Sequence, residues 1–217
     1  MYRSFQPKPK GMTLVELLAT MMVLSILLGL LLPAVQMARE AARRTNCSNN
    51  ARQLGIGTLD YESSRRKFPS NDSLSWTQQI AFQTGEADCN TLALAKASEQ
   101  EQERLLNLLP RLYFCPSAQI KLIADYPISH YGLNSLLLGK RVSEILDGTS
   151  NTLLIGELQP FFGAPWVLGP TVNEIQFGSD HALGSHVTFA DGSVRFFSAQ
   201  ADSREFAAIL TLAGGEL

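Results

Sequence analysis

The strongest feature of the hydrophobic pattern is an uninterrupted apolar run near the N-terminus. No charged residue occurs from Leu17 to Gln36, and the segment from Met12 to Val35 exceeds the roughly 20 residues that a helix needs to cross a bilayer. A soluble core helix of this length that is apolar on all sides would be unusual in so small a chain, so the run is typical of a membrane helix. The pattern therefore predicts a transmembrane helix over residues 12–35.

After Pro33 the apolar run gives way to one narrow helical stripe. The members of this stripe recur at spacings of four and three: Cys47, Ala51, Leu54, Thr58 and Tyr61. We expect a stem helix over residues 36–66 that lays the stripe on a folded head over residues 67–217. Gly55 and Gly57 would permit close packing on a sheet. Proline removes one helical hydrogen bond, so we expect a bend at Pro33; a helix end there is the alternative.

The predicted head contains a helix, a strand and, nearer the C-terminus, a hairpin. Residues 92–109 are rich in helix formers and predict a helix, and residues 152–157 predict a strand. Two β-rich runs over residues 186–197 are joined by Asp191-Gly192. This pattern predicts a hairpin with a two-residue turn of the primed type.

A short helix is predicted near the C-terminus. Asp202 is followed three residues later by Glu205, which is the pattern of a helix N-cap, and Gly214-Gly215 would end the helix. Together these elements predict an α+β fold in which a long N-terminal helix packs on a mostly antiparallel sheet.

The charge pattern bears on nucleic-acid binding and on the orientation of the membrane helix. The formal net charge is -2 and there is no basic stripe, so we expect no binding to nucleic acid. Arg3, Lys8 and Lys10 precede the apolar run and favour a cytoplasmic N-terminus. Arg39, Arg43 and Arg44 follow the run and favour the opposite orientation.

The residues just before the apolar run distinguish two kinds of export signal. An ordinary secretory signal is cut after its apolar region at a small-x-small site, and residues 33–38 offer no good pair of small residues. The run is instead preceded by KGMTLVE, in which Gly11 is followed by a short apolar stretch and Glu16. This segment closely resembles the type IV prepilin motif, although Met12 stands where that family usually has phenylalanine. The resemblance implies that a prepilin peptidase/methyltransferase removes residues 1–11 and N-methylates Met12.

Glu16 is the carboxylate at the start of the predicted membrane helix, about 6 Å along the axis from the new terminus. A carboxylate at the centre of a bilayer costs about 3 kcal/mol, whereas the helix dipole favours it near the N-terminus. The prepilin resemblance implies that Glu16 meets the terminal amine of a neighbouring subunit. The alternative is that Glu16 lies solvated among the lipid headgroups.

A second resemblance runs from Gly11 to the C-terminus, with a poor match over residues 71–109. The chain is similar to a family of bacterial pilin-like proteins named for a prepilin-type N-terminus and a C-terminal His-x9-Asp-Gly signature. The segments that carry this resemblance are PAVQMAREAARRTNCSNNARQLG from Pro33, FCPS from Phe114, YGLN from Tyr131, DGTSNT from Asp147, GE at 156–157, and His181 with Asp191-Gly192. The resemblance implies a pilin-like fold and a single-pass inner-membrane protein whose head is exported to the periplasm or the cell surface.

The three cysteines, Cys47, Cys89 and Cys115, form no C-x-x-C pair, so the sequence predicts no zinc site. In an exported head an odd number of cysteines is consistent with one disulfide and one free thiol. We expect Cys115 to form the disulfide, with Cys47 or Cys89 as its partner.

Four residues near the C-terminus, Asp180, His181, His186 and Asp191, are of types that can bind a divalent metal. We favour the alternative that Asp191-Gly192 serves a turn and that the histidines cap or pack. Since no Gly-x-Ser-x-Gly segment occurs, the sequence does not predict a nucleophile elbow. We therefore expect neither an enzyme nor a cofactor.

Two functions fit these features. In the first, the chain is a pilin or pseudopilin subunit that associates with itself or with other pilin-like subunits through its N-terminal helix. In the second, it is a binding module at the cell envelope that uses the prepilin signal for export and for anchoring in membrane lipid.

Overall fold

The structure is a computed structural model that describes residues 11–72, 74–81, 83–84, 111–118, 122–123, 126–159, 164–165, 168–173, 177–181 and 183–214. The chain divides into two compact units, residues 1–42 and residues 43–217. Three predicted features lie outside the described residues: most of the leader, Cys89 and the helix over residues 92–109.

The first helix, α1, spans Leu14–Arg65 and contains Pro33. A proline removes one backbone hydrogen bond, but the helix continues on both sides of it, so a helix end at Pro33 is excluded. The bend expected there stays a prediction. Arg66, with a φ of 59°, adopts the left-handed conformation that ends the helix.

The two parts of α1 differ in exposure. Residues 11–39 are all exposed, and the helix includes an 18-residue window with a mean hydropathy of 2.4. Within the head, α1 buries one face, formed by Cys47, Ala51, Leu54, Gly55, Gly57 and Thr58. The predicted stripe is therefore confirmed over Cys47 to Thr58, while Tyr61 is half-buried and donates a hydrogen bond to Gln79 Oε1 at 2.7 Å.

The described strands form two sheets. The strands are β1 Leu122–Ile123, β2 Tyr126–Ser129, β3 Tyr131–Asn134, β4 Leu153–Glu157, β5 Ala164–Pro165, β6 Thr171–Val172, β7 Gly184–Phe189 and β8 Val194–Ser198. The larger sheet has the order β6-β3-β4-β7-β8 and the smaller one the order β1-β2-β5. The β3–β6 pair is parallel and all the other pairs are antiparallel. The α+β fold with a mostly antiparallel sheet is thus confirmed.

The main core of the head lies between α1 and the larger sheet. It brings together Ala51 and Leu54 of α1 with Leu133, Leu154 and Ile155 of the sheet. The strand predicted over residues 152–157 is confirmed as β4, and every residue of β4 is buried. The long helix and the central strands are therefore held together by hydrophobic burial.

The hairpin of β7 and β8 is confirmed, but the predicted turn type is wrong. Phe189 N donates to Ser193 O at 2.9 Å and Gly192 N donates to Phe189 O at 2.9 Å, so residues 190–192 form a three-residue loop. Both primed turn types need a positive φ at the first central residue, here Asp191, and among the described non-glycine residues only Arg66 has a positive φ. In this loop Gly192, with a φ of 82°, takes the left-handed position after a tight turn.

Two shorter helices complete the described head. Helix α2, Trp76–Ile80, begins with a capping box formed by Ser75 and Gln78. Helix α3, Ser203–Leu210, has Asp202 as its N-cap, and Asp202 accepts a hydrogen bond from Arg204 N at 3.0 Å. The predicted cap is confirmed, but the helix ends at Leu210 rather than at Gly214-Gly215. The residues after it are held by other contacts, since Leu146 N and Asp147 N both donate to Leu212 O.

Candidate functional site

The first candidate site is the N-terminal end of α1, where Thr13 and Glu16 form a capping box. Glu16 Oε2 accepts hydrogen bonds from Thr13 N and Thr13 Oγ1, both at 2.8 Å, and Glu16 N approaches Thr13 Oγ1 at 3.4 Å. A Thr-x-x-Glu pattern in the sequence is the recognised signal for this arrangement. Glu16 therefore has a role within its own chain that the interpretation of the motif had missed.

Gly11 and Met12 lie immediately before this capping box. Both are exposed, and both precede the first helical residue, Leu14. A peptide bond outside a helix is accessible to a peptidase, which agrees with the expected cut. The cut itself and the methylation of Met12 stay predictions.

The second candidate site is a buried cluster in the head to which four elements contribute. Its members are Cys47 from α1, Cys115 after the short helix Arg111–Tyr113, Glu157 at the end of β4 and His181 before β7. One sulfur, nitrogen or carboxylate oxygen from each lies within 4.8 Å of the others, and all four residues are buried. Residues of these types can bind a transition metal.

A neighbouring histidine holds the carboxylate of this cluster. Glu157 Oε2 accepts a hydrogen bond from His186 N at 2.9 Å, and Glu157 Oε1 lies 3.3 Å from His186 Nδ1. Glu157 is 1% exposed, so a carboxylate there needs such partners to offset the cost of leaving water. The sequence signal for this residue was a carboxylate at the end of an otherwise apolar strand.

The two sulfur atoms are the closest pair in the cluster. Cys47 Sγ lies 2.8 Å from Cys115 Sγ, and Cys115 Sγ lies 3.5 Å from His181 Nε2. The hydrogen bond between the sulfurs, followed by burial, raises the pKa of Cys47. The same hydrogen bond lowers the pKa of Cys115 against the effect of burial, and His181 adds to the lowering. Cys115 is therefore the thiol that lies beside a group able to accept its proton, the His181 imidazole.

The structure does not bring all four candidate metal ligands from the sequence, Asp180, His181, His186 and Asp191, into one site. The rings of His181 and His186 lie 6.0 Å apart. Asp191, in contrast, lies in the hairpin loop, where Oδ1 accepts a hydrogen bond from Ser193 N at 2.8 Å. The side chain of Asp191 thus stabilises the loop. Among the described residues, His181 instead lies close to Cys47, Cys115 and Glu157, and these four form a group of possible metal ligands. Asp180 lines a small cavity together with Cys115 and Glu157.

Two family models match the chain. Residues 7–32 match the prokaryotic N-terminal methylation motif, and residues 36–112 match the family described as protein of unknown function (DUF1559). Neither the curated proteins nor the solved structures gave a match. The His-x9-Asp-Gly segment lies outside both matched ranges and remains a resemblance.

These matches agree with the structure of the N-terminal region. The methylation motif covers Gly11 and most of the apolar part of α1, and that helix is long and apolar enough to cross a membrane. A prepilin signal followed by one such helix fits a single-pass membrane-anchored protein. The chain therefore carries the prepilin-type N-terminal methylation motif and, over residues 36–112, is similar to the DUF1559 family.

Proposed function

We propose that this protein is a subunit of a pilin-like assembly and that it packs against its neighbours through the apolar part of α1. A prepilin peptidase cuts after Gly11, Met12 is methylated, and the head is exported while the apolar part of α1 stays in the inner membrane. The role of the subunit is structural rather than enzymatic. The observation that carries this proposal is that every residue from 11 to 39 is exposed, which leaves a largely apolar helical surface for lipid or other helices to cover.

Glu16 is the residue through which neighbouring subunits recognise each other. In a bundle of apolar helices a carboxylate loses its contact with water and needs a positive partner. A newly cut N-terminal amine is held at the same depth, and a neighbour displaced along the axis presents it to Glu16. The hydrogen bonds from Thr13 satisfy Glu16 in a single chain but supply no positive charge.

The capping box determines which substitutions test this role. Glu16→Gln removes the charge but keeps an acceptor, since glutamine also serves in a capping box. Thr13→Ala is the matched control, because it removes the side-chain cap but keeps the charge. Loss of one partner of a buried charge pair costs about 2–5 kcal/mol, which reduces association more than tenfold.

The experiment is co-purification of tagged and untagged subunits from membranes. We expect Glu16→Gln to lose the untagged subunit and Thr13→Ala to retain it. Mass spectrometry of the N-terminus should show cleavage after Gly11 in both variants, whereas Gly11→Leu should remain uncut. Equal co-purification by Glu16→Gln and wild type would refute the assembly role and favour the tethered binding module. A mature N-terminus beyond Val35 would refute prepilin processing.

A further inference from the structure

We propose that Cys47 and Cys115 form a disulfide that fastens the stem part of α1 to the head, and that Cys89 remains the free thiol. This pairing rests on export of the head, which is part of the proposed function, because disulfides persist in oxidising compartments. It selects one of the two partners that the sequence leaves open for Cys115.

The backbone around both cysteines is held so that the sulfurs face each other. Cys47 is fully buried and Cys115 is 3% exposed. On the α1 side, Cys47 O accepts a hydrogen bond from Tyr131 Oη at 3.2 Å, and Asn50 Nδ2 donates to Phe114 O at 3.1 Å. The second of these bonds joins the residue before Cys115 directly to α1.

The loop that carries Cys115 is also held from its other side. Cys115 N donates to His130 Nδ1 at 3.4 Å, and Ala118 N donates to Cys115 O at 3.0 Å. The packing of α1 on the head therefore places the two sulfurs 2.8 Å apart, which is about 0.8 Å longer than a disulfide bond.

The same cluster could be interpreted as a zinc site, but its geometry is against that interpretation. Four tetrahedral ligands with Zn–S bonds of about 2.3 Å would place the two sulfurs about 3.8 Å apart. They lie about 1 Å closer than that. Glu157, a further ligand of such a site, already directs both carboxylate oxygens to His186.

The bond forms by thiol–disulfide exchange with an oxidising disulfide, either of a protein or of a small molecule. The Cys115 thiolate, whose proton His181 can accept, attacks one sulfur of the donor and releases the other as a thiolate. Cys47 then loses its proton to that first released thiolate and attacks Cys115 Sγ, which breaks the mixed disulfide. The second thiolate takes the proton from His181, so that two protein thiols are oxidised and one donor disulfide is reduced to two thiols. Because both sulfurs are buried in the folded head, the attack on the donor occurs before α1 has packed, and the packing of α1 then brings Cys47 to Cys115 Sγ for the second step.

The test is a disulfide map of the full-length protein from membranes, alkylated under denaturing, non-reducing conditions. We expect a peptide that contains Cys47 linked to one that contains Cys115, with alkylation only at Cys89. Cys89→Ser is the matched control and should keep the bridge, whereas Cys47→Ser should leave two alkylated cysteines. The same bridge should form when reduced protein refolds with oxidised glutathione. Its loss in Cys47→Ser should lower the melting temperature by about 5–15 °C.

Three results would overturn the pairing: a bridge between Cys115 and Cys89, a failure of oxidised glutathione to link Cys47 to Cys115, and one bound zinc per chain with all three thiols free. A bridge that forms with glutathione but is absent in cells would uphold the pairing and contradict export. The failure of this inference and the failure of the proposed function are thereby distinguished.

Discussion

A test of the contact between α1 and the larger sheet is the substitution Gly55→Ala. A β-carbon at Gly55 would lie 2.5 Å from Thr188 Cγ2, where ordinary contacts between carbon atoms are about 3.5–4.0 Å. Thr188 cannot easily turn away, because it is β-branched and its Oγ1 donates a hydrogen bond to Ala51 O at 3.0 Å. Gly55→Ala should therefore destabilise the protein, whereas alanine in place of an ordinary helical glycine stabilises it.

The size of the effect follows from three contributions. Alanine in place of glycine favours the helix by about 1 kcal/mol. Overpacking a close contact costs about 1–3 kcal/mol, and a displaced Thr188 would lose a hydrogen bond worth about 0.5–1.5 kcal/mol. We expect Gly55→Ala to lower the free energy of unfolding by about 1–3 kcal/mol.

The assay is urea unfolding of the full chain in detergent, followed by the fluorescence of the buried Trp76, in a double-mutant cycle with Thr188→Ser. Serine keeps the hydroxyl that bonds to Ala51 O but removes Cγ2. In that background Gly55→Ala should be neutral or stabilising by up to about 1 kcal/mol. A stabilising effect in the wild-type background, or the same loss with and without Cγ2, would refute the reasoning.

Two further predictions concern carboxylates of the head. Partial burial raises the pKa of Asp191, but the hydrogen bonds from Ser193 help to lower it by more than burial raises it. The net pKa of Asp191 therefore lies below the ordinary value of 3.8. The charged form is thus favoured in the folded state, and its contribution is present above about pH 4 and lost as the pH falls through the lowered pKa. Asp191→Asn should therefore reduce the fall in melting temperature between pH 5 and pH 3, and an unchanged fall would contradict this role. Asp147 Oδ2 accepts hydrogen bonds from Thr211 Oγ1 at 3.0 Å and Gly214 N at 2.8 Å, so Asp147→Ala should cost about 1–3 kcal/mol and speed amide exchange in α3. Unchanged exchange in α3 would show that Asp147 does not hold the C-terminal segment.

The sequence by itself determined the features that depend on neighbours along the chain. The apolar run predicts a membrane helix because a bilayer sets the length and polarity of any helix that crosses it, and Gly11 and Glu16 before the run give its resemblance to the prepilin motif. The stripe from Cys47 to Thr58 has the helical period, and it is the face that the head buries. A hairpin around Asp191-Gly192 follows from two β-rich runs that are joined by turn residues.

The tertiary structure decided what depends on residues far apart in the chain. The turn between β7 and β8 has three loop residues, since Thr188 pairs with Val194 and Phe189 N donates to Ser193 O, and the Asp-Gly pair alone does not specify this register. The sequence leaves open which cysteine meets Cys115, because nothing local relates α1 to a loop 68 residues further on. Glu157 could not be recognised as the partner of His186 before β4 and β7 were paired. Packing α1 on the sheet brings these side chains together, because burial of the apolar stripe fixes the position of every polar group beside it.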